Sequence, residues 1–320
     1  MTVKQILEAE ARAIGFSAFG VTSAEYDPRG HSKHQQWLAR GYQASMSYLQ
    51  RGPRQRFDPR VHLPGAQSVV VCAHSYYSDP DENPGAPYVS IYSRGENYHF
   101  VVEDKLQSLC LKMRDLAGDV KSKIFVDSSP ISEKSFAAKA GIGFIGRNGT
   151  MIIPKKRQGK KNTSFGSFYF LGIIITELKL EPDEPATGTC GKCRKCVEAC
   201  PTAAIVGDGI IDSDKCISYH TTQNKGDIPE DIASSMGNMI FGCDICQLVC
   251  PYNSGIASSV EPRFLPDPEL ARPDIAKLLE ITESEFQRRF MNNSIGEFKY
   301  DMFKRNLQIA DKNIKSCGTM

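Results

Sequence analysis

Long apolar runs are missing. No stretch of the 320 residues approaches the roughly 18 consecutive apolar positions of a membrane-spanning helix. Strong charge of either sign is missing too. The 39 Lys and Arg against 37 Asp and Glu leave a net +2, so nucleic acid must be met by local patches rather than a global field. The opening segment, MTVKQILEAE, is acidic and amphipathic and carries no secretory signature. There is no low-complexity tract, and no internal repeat beyond two half-related sets of cysteines. The expectation is a soluble protein of a reducing cytoplasm with no membrane partner. Its length allows two or three domains, and 41% hydrophobic residues can bury a sizeable core.

What is present in excess is cysteine, in one region. Cys190-Gly-Lys-Cys193-Arg-Lys-Cys196-Val-Glu-Ala-Cys200-Pro201 has the spacing C-x2-C-x2-C-x3-C-P. That is the run which holds 4Fe-4S clusters in bacterial ferredoxins, with the fourth cysteine serving a second cluster. Cys216 and Cys243-x2-Cys246-x3-Cys250-Pro251 bring the set to eight thiols. The crossing rule assigns Cys190, Cys193, Cys196 and Cys250 to one cluster, and Cys200, Cys216, Cys243 and Cys246 to the other. Zinc is the weaker alternative, because zinc sites favour two separated C-x2-C pairs. A disulfide framework is weaker still in a chain of this length. Two clusters imply one-electron transfer.

Ahead of the cysteines the pattern is mixed. Val3, Ile6, Leu7 and Ala11 at helical spacing, closed by Gly15, predict a helix over 3–14. Strands are predicted at 16–22, 68–73, 123–126 and within 164–176, with Cys72 as a core thiol. Helical structure is predicted over 34–49, interrupted near Gly41, with Trp37, Leu38 and Met46 in the core, and a helix over 100–116. Ser129 as cap and Pro130 at the first position predict another helix running to Ala140. Asp127 falls in the strand-to-helix turn before it, open between a functional carboxylate and a turn carboxylate. His99, with no partner at metal spacing, reads by itself as structural. Gly141-Ile-Gly143-Phe-Ile-Gly146 has the letters of a dinucleotide fingerprint but closes a helix instead of opening one. Its glycines are expected to let backbone approach a flat ligand or a neighbouring element. The basic stretches 155–161 and 299–315 stay open between solvated or packed faces and phosphate contacts.

Val126-Asp127-Ser-Ser-Pro130-Ile-Ser-Glu133-Lys-Ser-Phe-Ala-Ala-Lys-Ala140-Gly141-Ile-Gly143-Phe-Ile-Gly146-Arg147-Asn148 resembles the central motif of the epoxyqueuosine reductase (QueG) family. Gly166-Ser167-Phe, Cys216-Ile-Ser-Tyr219, Phe241-Gly242-Cys243-Asp244-Ile-Cys246-Gln247, Arg56-Phe-Asp58-Pro59, Leu63-Pro64-Gly65 and Gly95-x-x-Tyr98-His99 also fit. The resemblance covers about residues 1–310. Arg147 stands where the family has Lys, Ile91 where Arg is common, and 155–161 looks like an insertion. A short form without the family's C-terminal helical-repeat domain is expected.

The resemblance implies an α+β fold. A flavin-reductase- or nitroreductase-like α/β cobalamin-binding domain over 1–180 would precede a ferredoxin-like two-cluster domain over 181–260 and a helical extension over 261–320. It implies reduction of epoxyqueuosine to queuosine in the tRNA anticodon loop by cobalamin fed from two 4Fe-4S clusters, in a monomer. Asp127 matches the family's proton donor. Cobalamin contacts carry over to Arg56, Ser90, Tyr98, His99, Asp127, Met151, Ser167 and Ser218. Ser90 falls where some members place a Cys near cobalt. An acid active near neutral pH needs a pocket that disfavours its carboxylate, so a desolvated Asp127 is expected. The alternative is a cobalamin-dependent, dehalogenase-like reductase of a small molecule. An electron-carrier ferredoxin is disfavoured by the length before Cys190. A nucleic-acid-binding protein with a structural cluster would lack the corrin spectrum.

Overall fold

The computed structural model describes residues 1–80, 86–127, 130–157, 160–161 and 165–317. Its first half contains, in chain order, α1 (Val3–Ala13), β1 (Ala18–Ser23), β2 (Ser68–Ser75), α2 (Tyr98–Ala117), β3 (Ser122–Phe125), α3 (Glu133–Lys139) and β4 (Tyr169–Thr176). The four strands form one antiparallel sheet in the order β1-β2-β4-β3. Val- and Ile-rich strands suit this role because their branched side chains pack on a pleated surface.

Both faces of the sheet are covered, which makes a three-layer sandwich. Val70, Cys72 and Ile174 point to one face and meet Leu7 and Ala11 of α1 and Val102, Leu106 and Leu109 of α2. Val69, Val71, Ile173 and Ile175 point to the other and meet Phe136 and Ala137 of α3, with Ile142, Met151 and Ile153 beyond it. Each such fully buried aliphatic side chain contributes about 1.5–3 kcal/mol relative to exposure. Gly172 in β4 lets α2 approach closely: a Cβ there would lie 2.7 Å from Leu106 Cδ1 and 2.8 Å from Val102 Cγ1.

Two sequence expectations shift. The helical stretch placed at 34–49 begins earlier, at Pro28–Ala39, capped by Asp27 with proline at its start and burying no residue; it stops before Gly41, the expected interruption, and a 3-10 turn follows at Ser47–Gln50. Trp37 is only half-buried, and its indole N–H donates to the Ile211 carbonyl at 2.8 Å. The helix expected from Ser129 begins at Glu133, with Ser132 as its N-cap. Ser129 lies outside the described residues.

Two hydrophobic clusters of the second half reach residues of the first, Val89 in one and Tyr88 against the other. Met239–Phe241 of the cysteine region pairs in parallel with Tyr88–Val89 of the first half. Ile240, Phe241 and Val89 share a core with Leu278, Phe286, Phe290, Ile295 and, from α4 (Tyr300–Cys317), Phe303, Leu307 and Ala310. Residues of the C-terminal stretch from Leu270 to Ala310 thus share a core with Val89, Ile240 and Phe241. Two cations of α4 are tied inward. Lys304 donates to the Leu279 carbonyl, and Arg305 to the carbonyls of His220 at 2.8 Å and Asn224 at 3.0 Å. The packed-helix reading of 299–315 therefore holds for these residues. Lys156–Arg157 pairs antiparallel with Lys160–Lys161. Lys155 donates to the Ser254 carbonyl at 3.2 Å.

Candidate active site

A cavity of about 610 Å³ opens between the sandwich, the cysteine region and the C-terminal segment. Tyr98, His99, Asp127, Met151, Ser167 and Ser218, all expected at the site, line it together. Ser90 does not. It is 1% exposed, and its hydroxyl donates to Asp244 Oδ1 at 2.7 Å, so its place is within the protein interior. Arg56 sits behind the rim, donating Nη2 to the carbonyl of Tyr48, which does line the cavity; its buried Nε has no partner.

Asp127 follows edge strand β3. Its φ of +50° is a left-handed conformation that non-glycine residues seldom adopt, Asp more readily than most. The backbone is held there by its N–H donating to Glu133 Oε1 at 2.7 Å. The carboxylate is held by Tyr98, whose hydroxyl donates to Oδ2 at 2.5 Å, and His99 Nε2 stands 4.0 Å from the same oxygen. Tyr98 is fixed in turn, its ring stacked on Phe170 at 4.2 Å between centroids. Both groups come from the first turn of α2, where Asn97 caps the helix by accepting the His99 N–H at 3.1 Å.

The expected desolvation does not fall on Asp127, whose side chain is 65% exposed. It falls on its neighbour Glu133, where burial and then the Asp127 charge push the carboxyl up to about 8. Lys134 Nζ donates to the Gly149 carbonyl at 2.8 Å. The Tyr98 phenol is pushed far up, by burial first and then by Asp127, so it remains a donor. Glu133 and Lys134 were visible in the motif but carried no assigned role. Glu297 had no sequence signal: it comes from the far end of the chain to accept a 2.9 Å hydrogen bond from His99 Nδ1.

The Gly141–Gly146 run packs against protein. A Cβ on Gly143 would lie 2.2 Å from the Ile152 carbonyl oxygen, so the close approach is to a neighbouring strand.

The eight cysteines gather on the cavity's far side in two sets. Cys250 feels the charges of Cys190, Cys196 and Cys193. Cys243 feels Cys216 and Cys200, and Cys246 feels Cys243 and Cys216 most and, across the two sets, Cys196. Cys200, Cys216, Cys243 and Cys246 line a small cavity of about 80 Å³ with Ile205, Ile217 and Ile245. Burial pushes the Cys243 thiol up to about 12, so four thiolates in this apolar recess require a cationic core to offset them. Backbone N–H groups already point at sulfur: Ala204 to Cys200 Sγ and Arg147 to Cys190 Sγ, each 3.3 Å. Among the described residues no three His, Cys, Asp or Glu converge on a single ion. A cluster makes a different demand, with each sulfur on its own iron.

A sandwich whose cavity is backed by two four-cysteine sets defines an iron–sulfur redox protein. The family model "4Fe-4S double cluster binding domain" matches residues 189–253, and "Epoxyqueuosine reductase QueG, DUF1730" matches 56–128. The chain is 37% identical over 309 residues to an epoxyqueuosine reductase of Cyclobacterium marinum, covering 96% of each. An epoxyqueuosine reductase from Bacillus subtilis, captured with its catalytic aspartate loop swung out of the active site, superposes with a TM-score of 0.88 at 30% identity, over 99% of this chain and 84% of that one. A second structure, an epoxyqueuosine reductase with an epoxyqueuosine-modified tRNA stem loop, superposes with a TM-score of 0.88 at 31% identity, over the same 99% and 84%. The chain belongs to the epoxyqueuosine reductase family.

Proposed function

We propose that this protein reduces epoxyqueuosine to queuosine in the tRNA anticodon loop, with Asp127 as proton donor and with cobalamin and two 4Fe-4S clusters as cofactors. The observation that carries the reading is the convergence of Tyr98 and His99 on Asp127 in a cavity backed by the cysteine sets. The cavity suits a flat macrocycle fringed with polar groups. Its walls are aromatic, from Tyr48, Tyr92, Tyr98 and Phe170, and buried polar atoms of His99 and Ser294 in its lining lack partners. Tyr98, Met151, Ser167 and Ser218 would hold cobalamin. When bound, it supplies the low-potential cobalt chemistry that no side chain can.

The remaining steps belong to the chain's own residues. Cys190, Cys193, Cys196 and Cys250 hold one cluster; Cys200, Cys216, Cys243 and Cys246 hold the other. An external low-potential donor delivers electrons to them singly. Asp127 passes its proton to the departing epoxide oxygen while Tyr98 keeps the carboxyl aimed. The exposed Asp127 side chain can reach a substrate that enters the cavity. The sandwich is the flavin-reductase- or nitroreductase-like domain of 1–180, the ferredoxin-like domain spans 181–260, and the working form is a cytoplasmic monomer. No helix among the described residues is long and apolar enough to cross a membrane.

The test is anaerobic reconstitution with iron, sulfide and cobalamin, then incubation with epoxyqueuosine tRNA and a strong reductant. Nucleoside mass spectrometry should show a product one oxygen lighter. Zinc without iron, or a loaded protein that leaves the nucleoside unchanged, would remove this function.

A further inference from the structure

We propose that His99 is the second proton source of this reaction and that Glu297, delivered by the C-terminal segment, is the residue that positions it. The inference rests on the reduction proposed above. Turning an epoxide into an alkene breaks both C–O bonds, forms a C=C bond and releases the oxygen as water. The change consumes two electrons, from the external one-electron donor, and two protons. A single carboxyl of Asp127 carries one proton, so another group must supply the second by reloading it.

His99 is placed for that. Its Nε2 is buried, has no hydrogen-bond partner and stands 4.0 Å from Asp127 Oδ2. Its Nδ1 donates to Glu297 Oε1 at 2.9 Å, and Asn97 Nδ2 donates to the same oxygen at 2.7 Å. A ring whose Nδ1–H is anchored to a carboxylate has only Nε2 left to exchange a proton. Ser294, from the same segment as Glu297, is 4% exposed and directs an unpartnered hydroxyl into the same cavity, so this segment faces the reacting space. The charges facing His99 are the carboxylates of Glu297, Asp127 and Glu103, and the Tyr98 ring packs at 4.2 Å. Burial favours the neutral ring, but the Glu297 hydrogen bond and these charges outweigh it and hold His99 above its ordinary value.

Glu297→Gln keeps the size of the side chain and removes the charge. The cluster-loaded protein is labelled with diethyl pyrocarbonate, which attacks only neutral imidazole, and His99 is followed by peptide mass spectrometry against pH. The wild-type midpoint should lie above 6.5, the ordinary value. Glu297→Gln should lower it by about one unit or more. The alkaline limb of kcat should move down by the same amount, with KM for tRNA unchanged. His99→Gln should lower kcat at neutral pH about 10²-fold, and adding Glu297→Gln should then cost nothing more. An unmoved midpoint and limb in folded Glu297→Gln would overturn the proposal. So would an alkaline limb that responds only to Glu133→Gln, which would make Glu133 the source. A wild type that leaves epoxyqueuosine intact while its His99 midpoint still answers to Glu297 would overturn the reduction, not the pairing.

Discussion

Removing the Asp244 carboxylate should cost more than any ordinary surface change. Asp244 is 2% exposed and lies between Cys243 and Cys246. It accepts from the Ser90 hydroxyl at 2.7 Å, the Ile91 N–H at 2.8 Å and the Tyr88 hydroxyl at 2.9 Å. All three donors belong to the first half of the chain, so this one side chain fastens the cysteine region to the sandwich. Asp244→Ala leaves three donors unpaired, each at about 1–3 kcal/mol. Partial rehydration of the site puts the expected loss at the lower end of that sum, about 3–5 kcal/mol. Asp244→Asn, which keeps one acceptor oxygen, should lose about half as much. The assay is anaerobic urea denaturation of cluster-loaded protein, followed by the fluorescence of Trp37, the single tryptophan, which bonds across to Ile211. Iron release should quicken in parallel. A loss under about 1 kcal/mol for Asp244→Ala would refute the claim that this carboxylate joins the two halves.

Other outcomes follow from the same contacts. Cys246→Ser should leave about four iron atoms per chain in place of about eight, whereas Cys110→Ser and Cys317→Ser should keep all of them, read by iron and sulfide analysis. Asp58 is buried, which alone would raise its carboxyl, but hydrogen bonds from Arg60 and Arg54 outweigh burial and hold it below its ordinary value. A carboxyl depressed in the folded state stabilises above the unfolded value, near 4, and that contribution is lost as pH falls through the folded value. Acid melts should therefore show Arg54→Ala with Arg60→Ala losing stability relative to wild type near neutral pH, with the gap closing as pH falls well below 4.

What could be read from the sequence was what local pattern determines. The strands around Val69–Val71 and Ile173–Ile175 declared themselves because both faces of the sheet are buried and leave continuous apolar runs. The cysteine sets were legible because cluster spacing is a local rule. The start of α3 was misplaced because Ser-Pro is a good cap signal wherever it falls, whereas this helix starts at Glu133, after a Ser132 whose side chain makes no capping hydrogen bond. The helix at Pro28–Ala39 was placed late although Asp27 and Pro28 announce it; with no buried face it has weak periodicity. Tyr98, His99 and Asp127 came from family resemblance, but their mutual geometry is a product of folding. Ser90 and Glu297 show the limit from opposite sides. A resemblance put Ser90 in the cavity, and Asp244 holds it inside the protein. Nothing in the sequence connects Glu297 with His99, 198 positions away.

The central claim is that Asp127 gives a proton to the substrate, and one measurement bears on it most directly. Single-turnover reduction of epoxyqueuosine tRNA is compared between wild type and Asp127→Asn, per molecule loaded with both clusters and cobalamin, with tRNA affinity and thermal midpoint measured alongside. Asn preserves size and keeps an acceptor for Tyr98 but has no proton to give. The account predicts that Asp127→Asn folds, loads and binds tRNA like wild type and loses about 10²–10⁴ in rate. Near-normal turnover in a fully loaded Asp127→Asn protein would contradict it and leave Asp127 as a turn residue.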